Sequence, residues 1–171
     1  GKNKMTRPSQ ALIDLNALLD NYKKLRAFHG GKAFAVLKAN AYGHGAVRCA
    51  KKLETDADAF AVAFLEEGLE LREAGIQKPI LLLEGVFDAR ELRQAASHGF
   101  WVVVHRLEQL EMIEQCATTM RGLHVWLKLE TGMNRLGIDA PLARECQSRL
   151  CATQAVSKVS FMTHLACADV K

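Results

Sequence analysis

The chain has 171 residues, 49% hydrophobic and 25% charged, with 23 basic against 19 acidic side chains and a formal charge of +4. That length is enough for one domain with a real core, and the composition is ordinary for a soluble globular protein. No apolar run approaches the ~20 residues of a membrane helix, and no apolar stretch follows the first five residues as a signal peptide needs.

Residues 1–5 read as a tag remnant ahead of a natural start at Met5. The basic pairs Lys23-Lys24 and Lys51-Lys52 are interleaved with acidic residues, which suits solvated helix faces and argues against a nucleic-acid track. Five cysteines, an odd number with no CxxC pair, argue against a disulfide framework or a zinc site and favour a reducing cytoplasm.

Taken in order, residues 10–14 form a strand-like opening, followed by a helix with Leu15, Leu18, Leu19, Tyr22 and Leu25 on one stripe and Gly30-Gly31 at its end. Residues 33–37 are a buried strand and 46–53 a helix. Residues 59–63 form a strand, and 66–74 a helix closed by Gly75. A strand over 80–83 follows Pro79. Asp88 and Glu91 stand at capping-box spacing before a helix that runs to about Ser97. A strand over 100–104 leads to a helix with Leu107, Leu110, Ile113 and Ala117 on its inner face. A strand over 123–129 follows, then a helix with Pro141 in its first turn, then a last strand over 159–164, with the end of the chain trailing off.

Strands alternating with helices at this period imply parallel β/α units. Two closures remain open on pattern alone, a doubly wound sheet or a barrel, although no GxGxxG follows the first strand. A barrel requires eight units and ~250 residues. Six are present here, so a barrel would be a partial one with open edges to cover.

In either closure, function gathers at the carboxyl ends of the strands. Those ends are Lys38, the segment after Val62, Glu84, His105, the stretch 128–135 and His164. Lys38 follows an apolar strand and precedes a loop with Gly43 and Gly45. An amine against an apolar body is disfavoured as a cation, and a neutral amine attacks carbonyls to form a Schiff base. Taken alone, a strand-end lysine that reaches out to water is the commoner case. Arg135, delivered by a loop with Gly132, offers a fixed fork of donors for a phosphate, carboxylate or phenolate oxygen. His29, His44, His98, His105 and His124 show no metal-ligand spacing, and no metal is expected.

The string Lys38-Ala-Asn-Ala-Tyr-Gly-His-Gly45 resembles the pyridoxal-phosphate attachment segment of bacterial alanine racemases. Lys128-Leu-Glu-Thr-Gly-Met-Asn-Arg-Leu-Gly137 is similar to that family's second signature, and Thr163-His-Leu-Ala-Cys-Ala-Asp169 to a third. The resemblance spans residues 6–171. It implies an α/β fold, a (β/α)8 TIM-type barrel of which about the first six β/α units are present, without the family's C-terminal β domain.

The resemblance further implies a cytoplasmic, homodimeric isomerase that interconverts L- and D-alanine and supplies D-alanine for the cell wall, with no nucleic-acid or membrane partner. Lys38 would hold the cofactor and move the α-proton on one face. Tyr42 would bond the phosphate. Arg135 would reach the phenolic oxygen and the substrate carboxylate. Lys128, carbamylated in many members, would position Arg135, and His164 would lie beside the ring. The second-face base is a tyrosine of the partner subunit's C-terminal domain, so this stretch alone is expected to be inactive. A non-catalytic pyridoxal-phosphate carrier on the same barrel is the alternative, against which the segment 128–135 counts.

Overall fold

The computed structural model describes residue 20 and residues 34–37, 44–129, 138–162 and 167–169. Among these, strands and helices alternate: β1 (Phe34–Val36), α1 (His44–Leu53), β2 (Ala59–Val62), α2 (Leu65–Glu73), β3 (Ile80–Leu82), α3 (Ala89–Ser97), β4 (Trp101–Val104), α4 (Leu107–Gln115), β5 (Leu123–Lys128), α5 (Ala140–Cys151), β6 (Val156–Met162) and β7 (Cys167–Asp169). The expected elements after residue 33 all form, with ends shifted by a few residues. The expected strand over 10–14 and the helix after it lie outside the described residues.

The starts of α2, α3 and α5 have a local cause. Asp88 accepts from the Glu91 amide at 2.7 Å, and Asp139 accepts from the Leu142 amide at 3.0 Å with Pro141 in the first turn. At α2 the bond runs from the other side, with Glu67 Oε1 accepting from the Phe64 amide at 2.8 Å. Gly75, Gly99 and Gly122 adopt positive φ in the turns that lead to the next strand.

All strand pairings are parallel, in the order β6-β5-β4-β3-β2-β1-β7. One large core lies between the strands and the helices. Phe60, Val62, Ile80, Leu82, Val102, Val104, Val125 and Leu127 supply its sheet side, and Leu53, Leu71, Leu92, Leu110, Ile113 and Leu150 its helix side. The opposite sheet face carries a second cluster with no helix residue in it: Ala61, Leu81, Val103 and Met162, with Phe34, Val36, Leu83, Trp101 and Trp126 packed against it. Among the described residues the helices pack on one face only, as in a barrel wall, and not on both faces as the doubly wound alternative needs.

β7 requires the sheet to curl. Its neighbour is β1, while β6, five residues earlier, pairs with β5 at the other edge. Five residues reach at most about 18 Å, whereas seven strands laid flat would separate the edges by about 29 Å. Asp169, where the sequence suggested that the chain trails off, therefore belongs to a strand, Cys167–Asp169, and residues 170–171 lie outside the described residues. That strand covers β1's second edge. Three residues carry too little pattern to reveal a strand whose partner lies so far away in sequence. β6 likewise begins three residues earlier than expected, at Val156, because pairing with β5 carries the polar Ser157 and Lys158 into the strand.

Candidate active site at the carboxyl ends of the strands

Of the expected site residues, Lys38, Tyr42, Arg135 and His164 lie outside the described residues, and Lys128 lies within them. The described flanks fix where the others depart from the fold. Leu37, 5% exposed, donates its amide to the Ala61 carbonyl at 2.9 Å, so Lys38 follows directly on a paired, buried strand end. The Leu129 amide donates to the Met162 carbonyl at 2.8 Å and the Ile138 amide to the Lys128 carbonyl at 2.8 Å. The described residues on either side of 130–137, the stretch that contains Arg135, thus meet at a parallel bridge between Leu129 and Ile138. His164 follows β6 by two residues.

Lys128 ends β5 opposite Met162 of β6 and is half-buried. The period of two that sets Trp126 on the inner face sets Lys128 there too. Below it the inner face is aromatic. Phe34 meets Trp126 edge-on with ring centroids 5.1 Å apart, Trp101 stacks on Trp126 at 5.7 Å, and His124 lies 4.4 Å from Trp101. His124 Nε2 pairs with Ser160 Oγ at 2.8 Å. Burial, followed by the charge of Lys158, pushes the His124 pKa down from 6.5 to about 4, so the ring is neutral at pH 7.

The turns after β3 and β4 are joined by a clip that local spacing does not reveal. Gln109, in the first turn of α4, accepts through Oε1 from the amides of His105 at 2.8 Å and Arg106 at 3.3 Å. Its amide nitrogen donates to the Glu84 carbonyl at 3.2 Å, and His105 Nε2 reaches the same oxygen at 3.2 Å. Gly85 makes the clip possible: its φ is +76°, and a Cβ there would lie 2.5 Å from Gln109 Nε2 and from the Val103 carbonyl. His105 and Glu84 stand out in the sequence as strand-end residues. Gln109 does not, although a Gln three residues after a non-capping Arg106 is a usable signal.

Two buried polar atoms have no partner among the described residues, His105 Nδ1 and Trp126 Nε1. No group of three or more His, Cys, Asp or Glu among the described residues could hold a metal ion. The described part of the site is therefore an aromatic, mostly apolar interior with few polar groups and two lysines, Lys128 at the carboxyl end and Lys158 beside His124. That surrounding suits an organic ring carrying its own charges.

The family model that describes the alanine racemase N-terminal domain matches residues 13–171. A curated alanine racemase of Azoarcus sp. (strain BH72) is 57% identical over 163 residues, which are 95% of this chain and 46% of that protein. A protein of Pseudomonas putida named a catabolic alanine racemase is 55% identical over the same share of this chain and 45% of its own. The chain thus spans about half the length of the curated relatives it matches. Among solved structures, the biosynthetic alanine racemase of Pseudomonas aeruginosa superposes with a TM-score of 0.81 at 42% identity, covering 92% of this chain and 44% of the other. An alanine racemase of Clostridium difficile, in complex with cycloserine, gives 0.75 at 32% identity, covering 91% and 43%.

Proposed function

Because the chain belongs to the alanine racemase N-terminal domain family, we propose that it is the cofactor-holding barrel of a pyridoxal-phosphate-dependent alanine racemase. That enzyme interconverts L- and D-alanine and supplies D-alanine for peptidoglycan. The observation that carries the reading is the placement of the motifs. Lys38 follows the carboxyl end of β1, the Lys128-to-Arg135 stretch follows β5 and His164 follows β6, in a barrel wall whose carboxyl ends are the place for chemistry. The inner face, with its aromatic walls and the unpaired His105 Nδ1 and Trp126 Nε1, fits a planar, polar-edged cofactor.

When bound, pyridoxal phosphate supplies an electron sink that makes the α-proton of an amino acid removable. The residues of this chain do the rest. Phe34 and Val36 lie on the inner face, and a period of two carried one step further would give position 38 to that face as well. The Lys38 amine would there hold the cofactor by its carbonyl carbon and carry the α-proton on one face of the substrate. The Tyr42 hydroxyl, four residues on, would donate to the phosphate. Arg135 would direct its paired donors at the phenolic oxygen and the substrate carboxylate, and its neutralising charge would hold the amino acid in line with the Lys38 amine. Lys128 would support Arg135 from the end of β5, and His164 would complete the hydrogen bonds beside the ring. Inversion requires a proton donor on the opposite face as well, which a homodimer would contribute. The protein would act in the cytoplasm. No helix among the described residues is long and apolar enough to cross a membrane.

The test is Lys38→Ala in the intact protein, assayed for alanine racemisation and for a pyridoxyl adduct on the Lys38 peptide after cofactor addition and borohydride reduction. Turnover is expected to fall by at least about 10³-fold and the adduct to vanish. Retained turnover would refute the reading.

A further inference from the structure

Four large apolar side chains are exposed among the described residues, and three of them, Phe64, Phe87 and Leu107, stand in successive turns at the carboxyl ends of β2, β3 and β4. Phe64 and Phe87 are 44% and 58% exposed, and their ring centroids lie 6.4 Å apart. A single apolar residue at a surface needs no account, whereas rings from two different turns that meet in water do. Neither ring is needed locally. Glu67 caps the start of α2 and Asp88 that of α3, and the chain neighbours Leu65 and Val86 fill the core beneath.

The charge around the rings is mostly of one sign. Glu66 follows Phe64 by two residues, and Asp88 and Glu91 follow Phe87. Acids in the first turn of one helix are ordinary. Here those of two helices crowd one another: burial, then the charges of Asp88 and Glu66, push the Glu91 carboxyl above its usual range, and the Phe87 backbone and Arg90 offset this only in part. None of the three makes an ion pair with a base among the described residues. An acidic face repels phosphate, which sets nucleic acid and anionic lipid aside. A cation with a planar, weakly hydrated body suits it. Arginine is that side chain, able to stack on a ring and to fork onto a carboxylate, and it is a common anchor of protein interfaces.

We propose that the turns after β2 and β3 form a docking surface for a protein partner anchored by an arginine, which stacks on Phe64 and Phe87 and pairs with Glu66 and Glu91. Leu107 stands at the start of α4 in the next turn and adds apolar surface at the same end of the sheet. The proposal stands apart from the cofactor reading, since none of these residues is placed in that site.

The probe is the peptide acetyl-Leu-Arg-Leu-amide, with a citrulline counterpart that keeps the shape and loses the charge. The readout is the Phe64 and Phe87 ring signals in NMR titrations of the intact protein, assigned with Phe64→Ser and Phe87→Ser. A saturable shift is expected with the arginine peptide, and a dissociation constant about tenfold higher with the citrulline one. Phe87→Ser is expected to raise the constant about fivefold and Glu91→Gln about threefold. Phe161→Ser, which removes the remaining exposed ring among the described residues, is expected to leave it unchanged. Phe87 and Phe161 are both exposed, so neither serine opens the core. No saturable shift, equal binding of the two peptides, or an equal loss in Phe161→Ser would overturn the proposal. So would self-association in sedimentation velocity that Phe87→Ser abolishes, since the face would then belong to a second copy of the chain.

Discussion

His124 makes the structure's acid stability predictable. The ring sits on the inner face of β5 against Trp101 and Trp126, 8% exposed, with the Lys158 ammonium on the neighbouring strand. Both features oppose the imidazolium, and the pKa falls from 6.5 to about 4. Between these values the unfolded chain binds a proton that the folded chain refuses, so stability is present above 6.5 and is lost as the pH falls. The interval corresponds to about 3 kcal/mol in full, of which about 2 kcal/mol is lost between pH 7 and pH 5. The perturbation that isolates this group is His124→Gln, which keeps a donor for Ser160 Oγ and cannot titrate. Urea unfolding of both proteins at pH 7, 6 and 5 gives the difference free of the carboxylates, which titrate in both. The variant is expected to lose about 2 kcal/mol less than the wild type over this range. Parallel pH profiles for the two proteins would refute the argument that burial keeps this ring neutral.

Two further substitutions test the packing. Gly85→Ala meets both a positive φ and a Cβ clash with Gln109 and the Val103 carbonyl, so a loss of roughly 2–4 kcal/mol is expected in urea unfolding; Gly75→Ala, at φ +95° in open space, should cost only about 1 kcal/mol. Arg72 donates to the carbonyls of His98, Ile76 and Lys78 and lies 5.2 Å from the centre of the Phe100 ring. Arg72→Lys, with one ammonium in place of a planar fork, is expected to lower stability by about 1–3 kcal/mol at an unchanged denaturant slope.

The parts of the fold that were readable from sequence are those with local causes. Residues 59–63, 80–83 and 100–104 are continuous apolar runs because these strands are covered on both faces, and Asp88 announces α3 by its own capping bond. β7 was not readable, since its reason for being a strand is the free edge of β1. The site divides in the same way. Lys38 and Arg135 stand in long ordered strings that resemble a known family. The clip among Glu84, His105 and Gln109 joins turns of two successive β/α units, and no spacing within either turn encodes it. His124 looks in sequence like any strand histidine; its low pKa comes from burial and from the Lys158 charge, which the pairing of β5 with β4 and β6 brings to it.

The pairing of β7 with β1 has a consequence for how the molecule assembles. From β1 to β6, every strand pairs with the one before it in sequence, so the wall can grow by short loop closures, each new unit docking on the last. The β1–β7 contact joins nearly opposite ends of the chain and can form only when the rest of the wall is in place. It is the last edge of the wall, made last and opened first. Amide exchange should show it: the Val36 amide, on the β7 side of β1, is expected to exchange by local opening, while those of Ala35, which faces β2 as Leu37 does, Phe60, Leu82 and Val103 wait for global unfolding. Equal protection at all five positions would mean that the wall opens as a single unit.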